Sequence, residues 1–278
     1  MRLDQVAAQR GYHRALYQAL WDWSAAEQVI GRNRLRGMDL LGHFGAAGCD
    51  LVVAAIGDNA PDRPLRLAEF GSGIGGVLRY VLGALDDRDI PVDLAIGCDL
   101  VVEHGRVARE IGTPRCFPVG TSVSEVGIRS ATLDIVFATG AVSHFADMAA
   151  TLAEAHRILR PGGLLTFTEE VSLVGPAGEP SAEFRESHPS DVFATATPLQ
   201  RRTQLADAGF IEVAMRDLGD WAATLLHRRL LALRVQRAAV AEVYGADETA
   251  SIVATLAAAR AEIVAGRLAP AHVVAFAG

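Results

Sequence analysis

The sequence predicts an α/β fold built on a doubly wound, mostly parallel sheet of seven strands, with N-terminal helices and a helical cap. Short apolar runs alternate with segments whose apolar residues recur at helical spacing. A glycine-rich turn joins the first run to a helix, and two of the runs end in acidic residues, Asp99 and Glu169. Alternating strands and helices are typical of parallel sheets, because each crossover between parallel strands needs room for a helix.

Residues 1–60 are predicted to form an N-terminal helical lid. A glycine-rich stretch at 42–48 interrupts it, and a second helix leads to a loop containing Pro61 and Pro64. This region either packs on the body as an amphipathic helix or closes its aromatic side chains over a ligand. The helical spacing is carried by Tyr12, Leu16, Leu20 and Trp23.

The glycine-rich turn at 71–76 is the centre of the pattern. An apolar strand at 65–68 and Glu69 precede it, and an amphipathic helix follows. Glycine allows the backbone to turn sharply and a ligand to approach closely. The N–H groups at the start of the helix favour ligand groups that accept hydrogen bonds. The apolar face of that helix consists of Leu78, Val81, Leu82 and Leu85.

Six further strands are predicted. The second ends in Asp99, which would face the crevice at the carboxyl ends of the strands, or cap a helix at 100–111, or both. A long loop covers 171–197, and Thr197 or Pro198 opens a helix. Two helices are predicted within 219–267, so we expect a core at 61–218 and a cap with the last strand at 219–278. The strands are expected at 92–99, 115–119, 132–138, 164–168, 211–215 and 272–276.

Composition excludes several classes of function. The 278 residues carry a net charge of −7 and no lysine, which argues against nucleic acid or an anionic membrane as partner. Cys49, Cys98 and Cys116 are dispersed, and no metal-ligand spacing is present, so no metal site is expected. The N-terminus has no apolar signal region and no long apolar run appears, so a cytoplasmic location is expected.

Two ligand classes fit the glycine turn. The three glycines Gly71, Gly73 and Gly76, with Asp99 further on, fit the dinucleotide fingerprint of an NAD-dependent oxidoreductase. The pattern Glu69-x-Gly71-x-Gly73-x-Gly75 also resembles the first motif of class I S-adenosylmethionine (SAM) methyltransferases. An acid beside the turn would repel a pyrophosphate, whereas it suits the cationic methionine end of SAM.

The second half of the core strengthens this resemblance. A strand at 132–138, a turn from His144 to Asp147 and the element Leu159-Arg-Pro-Gly-Gly163 resemble the small-molecule branch of that family, which includes sugar O-methyltransferases and other natural-product tailoring enzymes. The resemblance covers residues 65–218. It implies SAM as cofactor, a small-molecule acceptor, and a last strand inserted antiparallel between the fifth and sixth, with the cap over the ligand edge.

The family motifs also imply the cofactor contacts. One position departs from the family pattern: Gly120 is followed by Thr121 where the family usually has an aspartate that binds the adenine amino group. A hydroxyl accepts the same hydrogen bond without a charge and binds more weakly. The implied contacts are Glu69, Gly71, Ser72, Gly73, Gly75, Asp99, Leu100, Thr121, Ser122 and Thr139.

His144 and Glu169 are the predicted catalytic residues. His144 is a candidate general base, or a turn residue that bonds the backbone. Glu169 matches a carboxylate of the sugar O-methyltransferases, although only one of Glu169 and Glu170 is expected to face the pocket. Arg228 and Arg229 become candidates if the acceptor carries a phosphate.

The acceptor atom is left open. Oxygen is favoured, because the two predicted residues are placed for deprotonation. Carbon of an alkene or enol, nitrogen, and a methyltransferase-like protein that acts as a cyclase or a binding module remain alternatives. A homo-oligomer is also left open, since an aromatic N-terminal helix could pack on a neighbouring subunit.

Overall fold

The computed structural model describes residues 7–8, 39–112 and 115–278. Its strands are β1 Leu65–Phe70, β2 Val92–Asp99, β3 Cys116–Gly120, β4 Leu133–Ala138, β5 Leu159–Glu169, β6 Phe210–Asp217 and β7 Ala271–Ala277. They form one sheet in the order β3-β2-β1-β4-β5-β7-β6. Strand β7 runs antiparallel to β5 and β6, and the other pairs are parallel. The predicted seven-stranded, mostly parallel sheet with an inserted last strand is confirmed.

Helices cover both faces of the sheet. They are α1 Gly45–Asn59, α2 Gly76–Asp86, α3 Val102–Ile111, α4 Met148–Ile158, α5 Ala182–Ser187, α6 Pro198–Asp207, α7 Gly219–Val235, α8 Arg237–Tyr244 and α9 Ala246–Val264. A short 3-10 turn spans Val142–His144. One apolar core packs α1 and α2 on the sheet, and a second core on the opposite face packs α4 and α6. This two-sided packing gives the doubly wound architecture.

The predicted helix starts and apolar faces are found where the spacing placed them. Leu78, Val81, Leu82 and Leu85 are all buried in the core. Thr197 caps α6 in a reciprocal capping box with Gln200, with a proline in the first turn. Helix α1 precedes the proline loop as expected. The aromatic helix predicted around Tyr12 to Trp23 lies outside the described residues.

Three parts of the chain differ from the prediction. The predicted loop at 171–197 contains the short helix α5. Arg160 to Gly163 lies inside β5 rather than ending a helix, because Leu159 already pairs with Leu133 across the sheet. The cap contains three helices rather than two, since the chain breaks at Gln236 and again at Gly245, whose φ is 81°. Glycine adopts a positive φ without a steric clash, so Gly245 allows the chain to turn between α8 and α9.

A cluster of charged residues around Asp134 lies at the amino ends of the central strands. Asp134 of β4 accepts hydrogen bonds from Arg63 and from the Arg66 N–H, and it also pairs with Arg160 of β5. Asp134 is buried, so these donors offset the cost of removing its charge from water. This cluster therefore stabilises the edge of the sheet that faces away from the ligand edge.

Candidate functional site

A cavity of about 420 Å³ opens at the carboxyl ends of the three central parallel strands. Glu69 is the last but one residue of β1, Thr139 follows β4, and Glu170 follows β5, and all three line the cavity. Parallel strands present their carboxyl ends at one edge, where sheets of this class bind ligands. The volume lies within the range of pockets that take small molecules.

The opposite wall comes from the cap and from a short loop. The loop 39–43 runs over the glycine turn and lines the cavity together with α7, α8 and α9. A ligand in the cavity would therefore be enclosed between the sheet edge and the cap. The polar cap residues on this wall are Arg229, Gln236, Tyr244, Glu248, Ser251 and Thr255.

Glu69 presents a carboxylate to the cavity with one oxygen that has no hydrogen-bond partner among the described residues. The other contact of the carboxyl group is the backbone N–H of Leu78 at the start of α2. Burial, and then the neighbouring Asp99 carboxylate, hold the pKa of Glu69 well above its usual range. A buried acid with an unused oxygen is suited to a cationic hydrogen-bond donor.

The glycine turn adopts the backbone that the motif predicted. Gly71 has φ 76°, and a Cβ atom built on it would lie 2.5 Å from the Cβ of Ala141. Only glycine fits such a position without moving the facing loop. Gly71 and Ser72 line the cavity, so the turn brings backbone close to any ligand there.

Asp99 lies beside the cavity rather than in its wall. One carboxylate oxygen accepts the Gly73 N–H at 2.7 Å, and the other accepts the Val101 N–H at 2.8 Å and faces Nδ1 of His104 at 3.1 Å. Burial by itself raises the pKa of Asp99, but these hydrogen bonds, that of His104 first, outweigh it and hold the pKa below its usual value. Asp99 is thus an ionised acceptor, and three of the hydrogen bonds that its carboxylate can accept are already formed.

Thr121 stands next to Asp99 at the ends of β2 and β3. Its N–H donates to the Asp99 carbonyl oxygen at 2.8 Å, and its hydroxyl donates to the carbonyl oxygen of Glu125 at 3.1 Å. Ser122 shares a hydrogen bond of 2.8 Å with Ser124. The structure thus places Asp99, Leu100, Thr121 and Ser122 in one group beside the cavity, and their roles as cofactor contacts stay predictions, as does that of Gly75.

His144 lies in the cavity wall, as its position after β4 predicted. Its Nδ1 lies 3.2 Å from the carbonyl oxygen of Val192, which can only accept, so Nδ1 carries the hydrogen and Nε2 the lone pair of the neutral ring. Burial lowers the pKa of His144 to about 4. The ring is therefore neutral at pH 7, with its lone pair on Nε2.

The expected place of Glu169 in the pocket is wrong. Its side chain is fully buried and pairs with Arg201 of α6, on the far side of the sheet from the cavity. Glu170 lines the cavity instead, because successive side chains on a strand point to opposite faces. Glu170 accepts hydrogen bonds from the Thr168 hydroxyl at 3.0 Å, the Thr139 hydroxyl at 3.3 Å and the Phe44 N–H at 3.3 Å.

The loop 39–43 and the cap complete the site with residues of which the sequence reasoning named only Arg229, and that only for an acceptor that carries a phosphate. Arg229 of α7 donates to the carbonyl oxygens of Gly42 at 2.7 Å and His43 at 2.5 Å. Asp39 pairs with Arg79 of α2 at 2.6 Å, which pins the start of the same loop to the glycine turn. His43 itself lines the cavity. No periodic pattern in the sequence predicts that this loop lines a site. The glycines at 42 and 45 predicted only an interruption of the helix.

Comparisons with known proteins agree with this geometry. The family model described as a methyltransferase domain matches residues 68–167. A dimethylglycine N-methyltransferase from Parasynechococcus marenigrum is 30% identical over 135 residues, which is 47% of this chain and 47% of that protein. The chain spans less than half the length of the curated relatives that it matches.

Solved structures share the fold at low sequence identity. Phosphoethanolamine N-methyltransferase 2 from Haemonchus contortus superposes with a TM-score of 0.70 at 18% identity, over 82% of this chain and 52% of that chain. The [4+2]-cyclase SpnF gives 0.62 at 20% identity, over 84% and 82%. Residues 68–167 therefore match a methyltransferase domain, and the chain has the Rossmann-like fold of the methyltransferase structures that resemble it.

Proposed function

We propose that this chain binds SAM and transfers its methyl group to a small-molecule acceptor held between the sheet edge and the cap. The observation that carries the proposal is the buried Glu69 carboxylate, which lines the cavity beside the glycine turn and has one oxygen without a hydrogen-bond partner among the described residues. The methionine end of SAM carries an ammonium group and a sulfonium. A cationic group of this kind would give the Glu69 carboxylate a partner. The matched methyltransferase domain supports the same assignment.

The lining of the cavity is acidic, which favours a cationic cofactor. Among the lining residues that the structure describes, four are carboxylic acids and one is an arginine, Arg229. That guanidinium already donates to two loop carbonyls, and Arg228 next to it is exposed. The cap arginines are thus not arranged to receive a phosphate, so we favour an acceptor without one.

SAM supplies the electrophile, a methyl group on a sulfonium. The protein then has to orient the acceptor and take up a proton if the acceptor atom carries one. We favour a hydroxyl acceptor, because the neutral His144 ring borders the cavity with a lone pair on Nε2. We assign Glu170 the carboxylate role predicted for Glu169, since Glu170 is the one that faces the cavity.

Two alternatives remain part of the proposal. With an alkene or enol acceptor, Glu170 would stabilise the cation that forms on carbon rather than act beside a base. A cyclisation without methyl transfer is the second alternative, and the likeness in fold to the cyclase SpnF motivates it. Methylation of an alkene or enol consumes SAM, whereas a cyclisation without methyl transfer does not.

Isothermal titration with SAM tests the proposal. SAM and S-adenosylhomocysteine should bind and NAD should not. Glu69→Gln should weaken SAM binding about 10- to 100-fold, because a hydrogen bond to a charged group contributes about 1.5–3 kcal/mol. Glu154→Gln, which removes a carboxylate on α4 paired with Arg157, is the matched control and should bind normally.

Two results of these titrations and of the activity assays would contradict the proposal. Unchanged affinity of Glu69→Gln would remove this carboxylate from the cofactor site. Binding of SAM without its consumption across an acceptor panel would favour the cyclase or binding alternative. Because a bound cation favours the ionised form of Glu69, SAM binding should lower the raised pKa of this carboxyl group, and the affinity for SAM should increase with pH.

A further inference from the structure

His43 stands between two groups at the wall of the cavity. Its Nδ1 lies 3.9 Å from Oε2 of Glu170, and its Nε2 lies 3.2 Å from Nε2 of His188. Arg229 and Glu170 fix the loop that carries His43: Arg229 binds the loop carbonyls and Glu170 accepts the Phe44 N–H. The imidazole is therefore held in place by its own backbone as well as by its two neighbours.

His188 has one nitrogen committed to the backbone. Its Nδ1 lies 3.2 Å from the carbonyl oxygen of Phe184 and 2.9 Å from the Ser187 hydroxyl oxygen. The ring stacks on the Phe184 ring, with centroids 4.0 Å apart and planes 9° from parallel. A carbonyl only accepts, so Nδ1 of His188 carries the hydrogen and Nε2 carries the lone pair of the neutral ring.

The hydrogen positions of His43 follow from this. Nε2 of His43 must donate to the lone pair on Nε2 of His188, which leaves the lone pair of His43 on Nδ1, on the side of Glu170. Both rings are neutral, because burial lowers the pKa of His188 to about 4 and that of His43 well below its usual value. The charged or titratable groups that face His43 are His188, Arg229, His144 and Glu170.

We propose that His43 is a second proton-accepting residue of this cavity, and that His188 is the positioning residue that holds its lone pair on Nδ1. The inference rests on the proposed methyl transfer. The bond between the acceptor atom and its hydrogen breaks, and the proton moves to Nδ1. The electron pair remains on the acceptor atom, which forms the bond to the methyl group.

The charge balance favours such a residue. The sulfur of SAM would lose its positive charge as the bond to the methyl group breaks, and the His43 imidazolium would gain one at the wall of the same cavity. Glu170, 3.9 Å from Nδ1, is the carboxylate placed to stabilise that charge. As the new bond forms, the proton on the acceptor atom becomes strongly acidic, so even a histidine whose pKa is lowered by burial can take it.

The first test is a nitrogen NMR spectrum of the full chain with labelled histidines, without any ligand. The His43 signals, assigned by their loss in His43→Gln, should show hydrogen on Nε2 and a bare Nδ1. His188→Gln keeps an oxygen acceptor and should preserve this form. His188→Phe keeps the ring stack but removes the acceptor, and should give a mixture of the two forms. Hydrogen on Nδ1 in the unaltered protein would overturn the inference.

The second test compares the titration of His43 in the complexes with SAM and with S-adenosylhomocysteine. His43 should protonate at a higher pH with S-adenosylhomocysteine, which lacks the sulfonium charge. The buried His272 of β7, which does not line the cavity, is the control and should titrate identically in both. If His43 protonated at the same pH in both complexes, or did not protonate before the protein unfolds, it would not be a proton-accepting residue. Failure of SAM to bind would instead refute the proposed function, while the tautomer result would still stand.

Discussion

Buried histidines make the stability of this protein depend on pH. Burial lowers the pKa of His144, His188 and His272 to about 4, from a reference of 6.5. The unfolded chain therefore takes up these protons first as the pH falls, so the stabilisation is complete above about 6.5 and is lost towards about 4. The raised pKa values of Glu69 and Glu170 act with the opposite sign, since their protonation favours the folded chain.

His272 isolates the histidine contribution, because it lies outside the cavity on β7 and bonds the Thr166 hydroxyl at 2.9 Å. The free energy of unfolding of the unaltered protein should fall relative to that of His272→Asn by about 2 kcal/mol as the pH is lowered from about 6.5 towards about 4. Urea unfolding at several pH values measures it. Thr166→Val, which keeps the imidazole, should retain the pH dependence; a constant difference for His272→Asn would contradict the argument.

At the scale of elements, helix α7 is coupled to the loop over the glycine turn. Arg229 reaches from α7 to the carbonyls of Gly42 and His43, and Glu170 at the end of β5 accepts the N–H of Phe44. Cap, loop and sheet edge are thus joined by charge-assisted hydrogen bonds, which are stronger than neutral ones. The loop that carries His43 depends on both neighbours for its position.

Arg229→Met should lower the free energy of unfolding by about 1–3 kcal/mol, because two loop carbonyls and Glu170 lose a charged partner. Hydrogen exchange should accelerate at the amides that follow Gly42. Arg228→Met, on the exposed side of the same helix, is the matched control and should change stability by no more than about 0.5 kcal/mol. Equal effects of the two variants would show that Arg229 does not hold the loop.

At the scale of the molecule, the cavity lies between two parts that are far apart in sequence. The sheet edge contributes residues from 69 to 171, and the cap contributes residues from 229 to 256. A ligand that contacts both should stabilise the folded chain as a whole. In the described part of the chain no helix is long and apolar enough to cross a membrane.

SAM at about 100 times its dissociation constant should stabilise the protein by about 2.7 kcal/mol, which corresponds to a rise in melting temperature of about 5 °C or more. Thermal unfolding followed by circular dichroism measures this shift, with NAD at the same concentration as the control. Amides of α8 and α9 should exchange more slowly in the complex. A shift without slower exchange in the cap would mean that the cofactor contacts the sheet edge alone.

The sequence alone determined the strands and helices of the doubly wound sheet and the glycine turn. These follow from local patterns, because an apolar run, a turn glycine and a helical face each act over a few residues. The resemblance to the family motifs singled out Glu69, Gly71, Ser72, Thr139 and His144, which line the cavity. The motif resemblance added the antiparallel insertion of β7, which no local pattern contains.

The tertiary structure decided which carboxylate faces the ligand and which loop completes the site. Glu169 and Glu170 are chemically alike, and only the packing of α6 shows that Arg201 takes the first and leaves the second to the cavity. His43 and Arg229 lie 186 residues apart and meet only because the cap folds back over the turn. Such contacts depend on how the whole chain folds, so the spacing of residues in the sequence does not predict them.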